Sequence, residues 1–260
     1  MIVRRVIAHF RKQEWTAIGI EFVLLVLGVF LGIQAANWNE TLADERLGRA
    51  YAERLTAELN RDLVTRRELV DYYAAVLGSV EHTNELLADP ESDPKTLVIN
   101  AYRASEYNYR APSRATWDAI VSSGDTGLLS PDLAAAAADY FAYDSAHNAR
   151  DILSQSAYRH RVRTLVPLKL QKALRAGCSD VRNENQDITG FKSDCALDIE
   201  PAVIAMTAAA LRADATVQES LRYQYSDVYS AHANIMGDMV AIERTLAAIK
   251  GLRPTAGVSP

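Results

Sequence analysis

The sequence predicts an all-α protein in which an N-terminal transmembrane helix continues into an outer, periplasmic antiparallel bundle of long helices. Three observations carry that expectation. An apolar stretch near the N-terminus is long enough to cross a bilayer, apolar residues elsewhere recur at spacings of three and four, and strands are hard to place anywhere. With 49% apolar residues over 260 positions the chain has ample material for a core, which excludes a disordered tail. The balance of 28 Lys plus Arg against 33 Asp plus Glu, net −5, leaves no basic footprint along a whole face, so nucleic acid is not an expected partner.

The first element is the membrane segment. From Trp15 to Trp38 the chain reads WTAIGIEFVLLVLGVFLGIQAANW, with an unbroken apolar run from Phe22 to Ile33 and interruptions only at Glu21 and Gln34. At a rise of 1.5 Å per residue, roughly 20 residues from Ala17 to Ala36 cover about 30 Å, the thickness of a hydrocarbon core. Trp15 and Trp38 suit the two interfaces, where an amphipathic ring is most stable. Gln34-Ala35-Ala36-Asn37 is a fair signal-cleavage site, but the helical pattern runs on past residue 38 and the apolar segment is long for a signal core, which favours an uncleaved anchor. Arg4, Arg5, Arg11 and Lys12 precede the segment, whereas the chain after Gln34 holds 24 cations and 31 anions. The positive-inside rule then orients the protein in a bacterial inner membrane with residues 1–14 as a cytoplasmic basic segment, 15–38 as the span, 39–250 as the periplasmic bundle and 251–260 as a flexible tail.

Inside the span, an unpaired Glu21 facing lipid would cost several kcal/mol, so it is expected to face protein. Gly28-xxx-Gly32-xxx-Ala36 is the small-residue spacing that lets two membrane helices touch, which makes Glu21, Gly28, Gly32 and Gln34 the candidate helix contacts and a second copy or another membrane protein the expected partner beside the lipid. Snorkelling of the carboxylate and a chance occurrence of the glycine spacing are the plainer alternatives.

The same residues carry a family resemblance. Glu21-Phe-Val-Leu-Leu-Val-Leu-Gly28, followed by Gln34, Asn37, Trp38, Asn39 and Glu40, resembles the opening of the bacterial family of uncharacterised single-pass proteins called domain of unknown function 6090. The segment Ser122-Ser123-Gly124-Asp-Thr-Gly127-Leu128-Leu129, preceded by Trp117, is similar to a second family segment with Ser-Gly before a hydrophobic pair. The resemblance implies a membrane anchor and an outer helical domain, and no known activity.

In the outer part, Thr41 to Asp89 lacks proline, and Val70, Tyr73, Leu77, Val80, Asn84 and Leu87 alternate at three and four, predicting one long helix continuous with the span. Asp93-Pro94, Ser130-Pro131 and Glu200-Pro201 mark helix starts, and Gly124 to Ser130 reads as a turn. Pro131 to about Ala176, bent near Pro167, is expected as another long helix. Near the C-terminus Leu221, Tyr225, Val228, His232, Ile235, Met239, Ile242, Leu246 and Ile249 step as a bundle or coiled-coil seam, with His232 its polar member, either setting register or sensing pH. Cys178 and Cys195 bracket a polar segment and are expected to form a disulfide, which fits an oxidising compartment.

No catalytic or cofactor motif emerges, so no cofactor and no enzyme activity are expected. Asp144, His147 and Asp151 share one helix face and are weak candidates for a metal, with a solvated face as the alternative. The basic run Tyr158-Arg159-His160-Arg161-Val162-Arg163 could meet an acidic partner or simply be solvated, and Lys169, Lys172 and Arg175 could meet lipid headgroups or solvent. Tyr107-Asn108-Tyr109-Arg110 is expected to cap the bundle rather than stack on a sugar. The leading expectation is an anchored helical scaffold or interaction protein that self-associates through its membrane helix. The alternatives are a subunit of an ion- or proton-conducting assembly using Glu21, and a periplasmic ligand-sensing domain with a separate output partner.

Overall fold

The computed structural model describes residues 15–178 and 180–251, and the fold is all-α with one short hairpin. The cytoplasmic basic segment expected at 1–14 and nearly all of the tail expected at 251–260 lie outside the described residues. The chain divides into two compact units that meet between Tyr51 and Ala52, whereas the boundary expected at 38/39 followed hydropathy.

Helix α1, Trp15–Ala88, runs from one unit into the other and is long and apolar enough near its start to cross a membrane. In the first unit every described side chain from Ile20 to Glu40 is exposed, including Phe22 and Leu25. Thr41 donates to the Asn37 carbonyl at 2.9 Å, and Arg49 pairs with Glu45 one turn away.

In the second unit the remainder of α1 presents a buried face of Leu55, Leu59, Leu69, Tyr73, Val76, Val80 and Leu87. Three prolines start helices as expected: α2 (Pro94–Arg103), α4 (Pro131–Phe141) and α8 (Pro201–Ala213). Asp93 and Ser130 cap the first two by accepting the backbone N–H of Thr96 and Leu133. A further helix, α3 (Ala115–Ser123), ends at Gly124, whose φ of 77° is the left-handed cap glycine adopts without strain. The expected turn from Gly124 to Ser130 holds a short 3-10 segment, Asp125–Leu128.

The long helix expected from Pro131 to Ala176 is instead four: α4, α5 (Ser145–Ser154), α6 (Ala157–Leu165) and α7 (Leu168–Gly177). Asp144 and Ser156 cap the backbone of His147 and Arg159, and Pro167 separates α6 from α7. These caps satisfy N–H groups that a continuous helix would have used internally, so each restarts the chain in a new direction.

Helix α9, Ala215–Gly251, packs against α4, α5 and α6. Arg66 of α1 faces Asp238, while Glu81 and Asn84 lie beside Leu221 and Tyr225, so this part of α1 and α9 run antiparallel. The seam of α9 corrects the expected one in part. Leu221, Val228, Ile235, Ile242, Leu246 and Ile249 are buried as expected, but Gln224, Ala231, Asp238 and Thr245 are buried beside them. Tyr225 is exposed, and His232 and Met239 are only half-buried. The second row lies one residue earlier because its polar members find partners: Gln224 donates to the Ala104 carbonyl at 2.8 Å, Thr245 to the Ala136 carbonyl at 3.1 Å, and Asp238 accepts from Ser145 at 2.6 Å.

Two short strands also depart from the expectation of none. β1 (Asp180–Arg182) pairs antiparallel with β2 (Ile188–Phe191), with a bulge between Val181 and Arg182. Asn183 organises the turn, its side chain accepting the N–H of Asn185 and Asp187 at 3.0 Å each. Arg110 and Asn108 reach the hairpin through Asp187 and the Ile188 carbonyl, and Phe191 packs on Tyr72 with ring centroids 5.1 Å apart.

Candidate functional site

The richest concentration of paired charge on the second unit gathers around Glu106. Helix α2 ends at Arg103, and two tight backbone bonds, Ser105 to Tyr102 and Glu106 to Arg103, turn the chain so that Tyr102 and Glu106 project on one side. Ser156 starts α6 so that Tyr158 and Val162 face the core while Arg159 and Arg163, one turn apart, face Glu106. Helix α7 buries Leu170 and Leu174 and leaves Lys172 and Arg175 on its open side. Gln171 fixes the α6–α7 corner by donating to the carbonyls of Arg163 and Val166.

The Cys178–Cys195 disulfide holds the end of α7, with Cα atoms 4.6 Å apart, as the cysteine spacing led us to expect. Gly177 allows the crossing chain to approach, since a Cβ there would overlap the Ala196 carbonyl oxygen. Arg103 reaches toward this crossing, lying within 3.5 Å of the Cys195 sulfur and over the Phe191 ring.

Three guanidinium groups converge on one carboxylate. Glu106 Oε1 lies 2.9 Å from Arg163 and 3.2 Å from Arg175, and Oε2 lies 3.5 Å from Arg159. Aromatic faces support the cations: Arg163 sits 3.4 Å over the Tyr102 ring and Arg159 sits 4.8 Å over Tyr107. Burial pushes the Arg163 guanidinium below its usual range despite Glu106. For Arg175 burial, the largest single influence, acts the same way, but Glu106, Tyr102 and Asp180 together outweigh it and the pKa is raised. Burial, followed by the charge of Glu106, raises the Asp180 carboxyl.

Two cavities flank this cluster. One, of about 300 Å³, is lined by Tyr102, Arg103, Glu106, Arg175, Asp180 and Arg182 among others. The other, of about 700 Å³, is an open groove lined by Tyr102, Arg159, Arg163, Gln171, Lys172 and Arg175 with two apolar neighbours. Among the described residues, cations and no carboxylates line the second, in a protein whose net charge is −5. Among the described residues, Arg163 Nη2 and Arg103 Nε are buried donors with no hydrogen-bond acceptor.

A second ionic array lies along α1. Glu58, Asp62 and Arg66, spaced by four, are all buried. Glu58 accepts from the Thr116 backbone and hydroxyl, supplying a cap that Arg114 does not give α3. Asp62 accepts from the Ser113 N–H and the Tyr140 hydroxyl, and Arg66 lies between Asp144 and Asp238. These residues stand in the apolar stripe of Leu55, Leu59 and Leu69, and charges interrupting such a stripe were the available signal.

The residues singled out in the sequence separate into distinct places. Glu21, Gly28, Gly32 and Gln34 are exposed on α1, and a Cβ at either glycine would meet nothing within 4 Å. Asp144 is a helix cap that also accepts from Tyr109 and pairs with Arg66, while His147 and Asp151 pair with each other at 3.1 Å. Among the described residues no group of three or more metal-ligating side chains is gathered. The basic run is not a solvated stretch: Tyr158 is buried and donates to the Ala101 carbonyl, Arg161 pairs with Asp214, and Arg159 and Arg163 converge on Glu106. The 107–110 segment bonds within the bundle, Tyr73 donating to the Asn108 carbonyl at 2.8 Å and Arg110 pairing with Glu68 at 2.6 Å. Sequence reasoning missed Glu106 because its partners lie more than fifty residues away.

No curated protein and no solved structure matches the chain. The model of the family of unknown function DUF6090 matches residues 21–158, a span that takes in Glu21, the Glu58–Asp62–Arg66 array and Glu106, and ends before Arg159, Arg163, Arg175 and the disulfide. That match covers more than half of the sequence, agrees with the resemblance carried by Glu21 to Glu40 and by the segment around Gly124, and shows that the protein belongs to the DUF6090 family.

Proposed function

We propose that this protein is a membrane-anchored helical interaction module that crosses a bacterial inner membrane once and joins copies of itself through the membrane helix. The observation that carries this reading is the exposed apolar face of α1: Ile20, Phe22 to Leu27 and Val29 to Leu31 all lie open on every side. Apolar surface of that extent is stable only against lipid or another helix. The disulfide supports placing the bundle in an oxidising compartment, and the four cations before Glu14 support a cytoplasmic N-terminus.

Within this reading Gly28 and Gly32 let two helices approach closely, and Glu21 is satisfied by protein rather than lipid. The role is assembly and presentation of the bundle rather than turnover. The mass of the full chain purified in mild detergent tests it. A discrete homo-oligomer that Gly28→Leu dissociates supports the reading, and a monomer for the wild type contradicts it.

A further inference from the structure

We infer that the open groove between α6 and α7 binds a phosphoryl group. This inference stands on the second unit alone and does not depend on how the chain is anchored.

The groove presents Arg159, Arg163, Lys172 and Arg175, and all three arginines pair with the carboxylate of Glu106 on their inner side. Four like charges on two adjoining helices repel one another, and a single carboxylate neutralises only a quarter of them. The Tyr102 and Tyr107 rings hold Arg163 and Arg159 in place without removing any charge. Arg163 Nη2 is itself buried 2.9 Å from Glu106, so Lys172 and Arg175, which are exposed, are the cations a ligand entering the groove meets first.

These features specify a ligand chemistry. A cation set held in fixed orientation, with a surplus of charge, matches an oxyanion. A phosphate monoester carries up to two negative charges and offers three strong acceptor oxygens in a tetrahedral array. It can therefore meet forks arriving from two helices together with the ammonium of Lys172. A volume of about 700 Å³ accommodates the phosphoryl group with an organic substituent, and Leu168 and Ala176 provide apolar surface for that substituent. A small soluble phosphate monoester and the phosphomonoester headgroup of phosphatidic acid share this chemistry.

The test uses the full chain in a neutral, phosphate-free detergent, titrated calorimetrically with glycerol 3-phosphate. The expected result is saturable binding tighter than about 1 mM, weakened about tenfold or more by Lys172→Ala or by Arg175→Gln. Both side chains are exposed, so neither change removes core packing, and Lys169→Ala outside the groove should leave the affinity unaltered. Adding phosphatidic acid to the micelles separates the sources: displacement of glycerol 3-phosphate identifies a lipid headgroup, and retained binding identifies a soluble ester. Absence of saturable binding, or binding that both variants leave unchanged, overturns the inference.

Discussion

Arg66 of α1 lies 3.3 Å from the Asp238 carboxylate of α9, a buried ion pair that joins the two antiparallel helices of the second unit. Its geometry is that of a charge contact without an aligned hydrogen bond, and Asp238 takes its short hydrogen bond from Ser145 instead. Burial raises the Asp238 carboxyl, with the Ser145 hydrogen bond and Arg66 acting in the opposite direction.

Arg66→Met is therefore expected to destabilise the bundle by about 3–5 kcal/mol, because it leaves Asp144 and Asp238 without their common cation. The pH dependence has a defined sign. A carboxyl whose folded pKa is raised contributes stability below its unfolded pKa that is lost as pH rises through the folded value. Removing Arg66 raises the Asp238 carboxyl further, so denaturant unfolding should show a larger deficit at pH 7 than at pH 5. A deficit independent of pH would show that the lost charge contact is not the cause.

Glu58 caps α3 from a different element, and Glu58→Ala should cost about 1–3 kcal/mol by leaving the Thr116 N–H and hydroxyl without an acceptor. Glu58→Gln keeps an acceptor in the same place and should recover most of that loss. Equal unfolding midpoints for the two variants would remove the capping role.

The disulfide closes a separation of 17 residues, and its loss is expected to cost about 3 kcal/mol. In a bundle of this size that corresponds to a fall of about 10 °C in Tm. Thermal unfolding of wild type with and without reductant, compared with Cys178→Ser/Cys195→Ser, checks the figure, and reductant should leave the double variant unmoved.

Asp180 titrates above its usual range through burial and then Glu106, opposed by Arg175, Arg182 and Arg103. On acidification it gains a proton before an ordinary carboxyl does, freeing Arg175 from a competing negative charge. Binding of sulfate, which keeps its charge across the range, should tighten as pH falls from about 7 to about 5. Asp180→Asn should flatten that dependence, and an unaltered profile in the variant would exclude Asp180 as its source.

Much of this architecture was legible because it rests on local signals. Pro94, Pro131 and Pro201 start helices where expected, since proline at a first helical position loses no needed N–H. Asp144 and Ser156 carry the same kind of information, but they sit in segments rich in Ala, Arg and Leu, where helix propensity masked the caps. The α9 seam was displaced by one residue on one side because apolar periodicity passes over Gln224, Asp238 and Thr245, whose burial depends on bonds to distant chain segments. The hairpin was hidden for a related reason, being only seven strand residues fixed by Asn183 and by docking to Tyr72 and Asn108. The basic run at 159–163 stood out in the sequence, yet its meaning came from Glu106, which no spacing rule connects to it.

The anchoring and orientation of the chain can be read most directly from its own lysines. Lys12 precedes the apolar segment, and Lys169, well exposed on α7, lies in the bundle. A membrane-impermeant amine reagent applied to intact spheroplasts, followed by peptide mass spectrometry, should modify Lys169 and spare Lys12, with the pattern reversed in inverted vesicles. Modification of Lys12 from outside, or protection of Lys169 in spheroplasts, would contradict a single span that leaves the bundle in the periplasm.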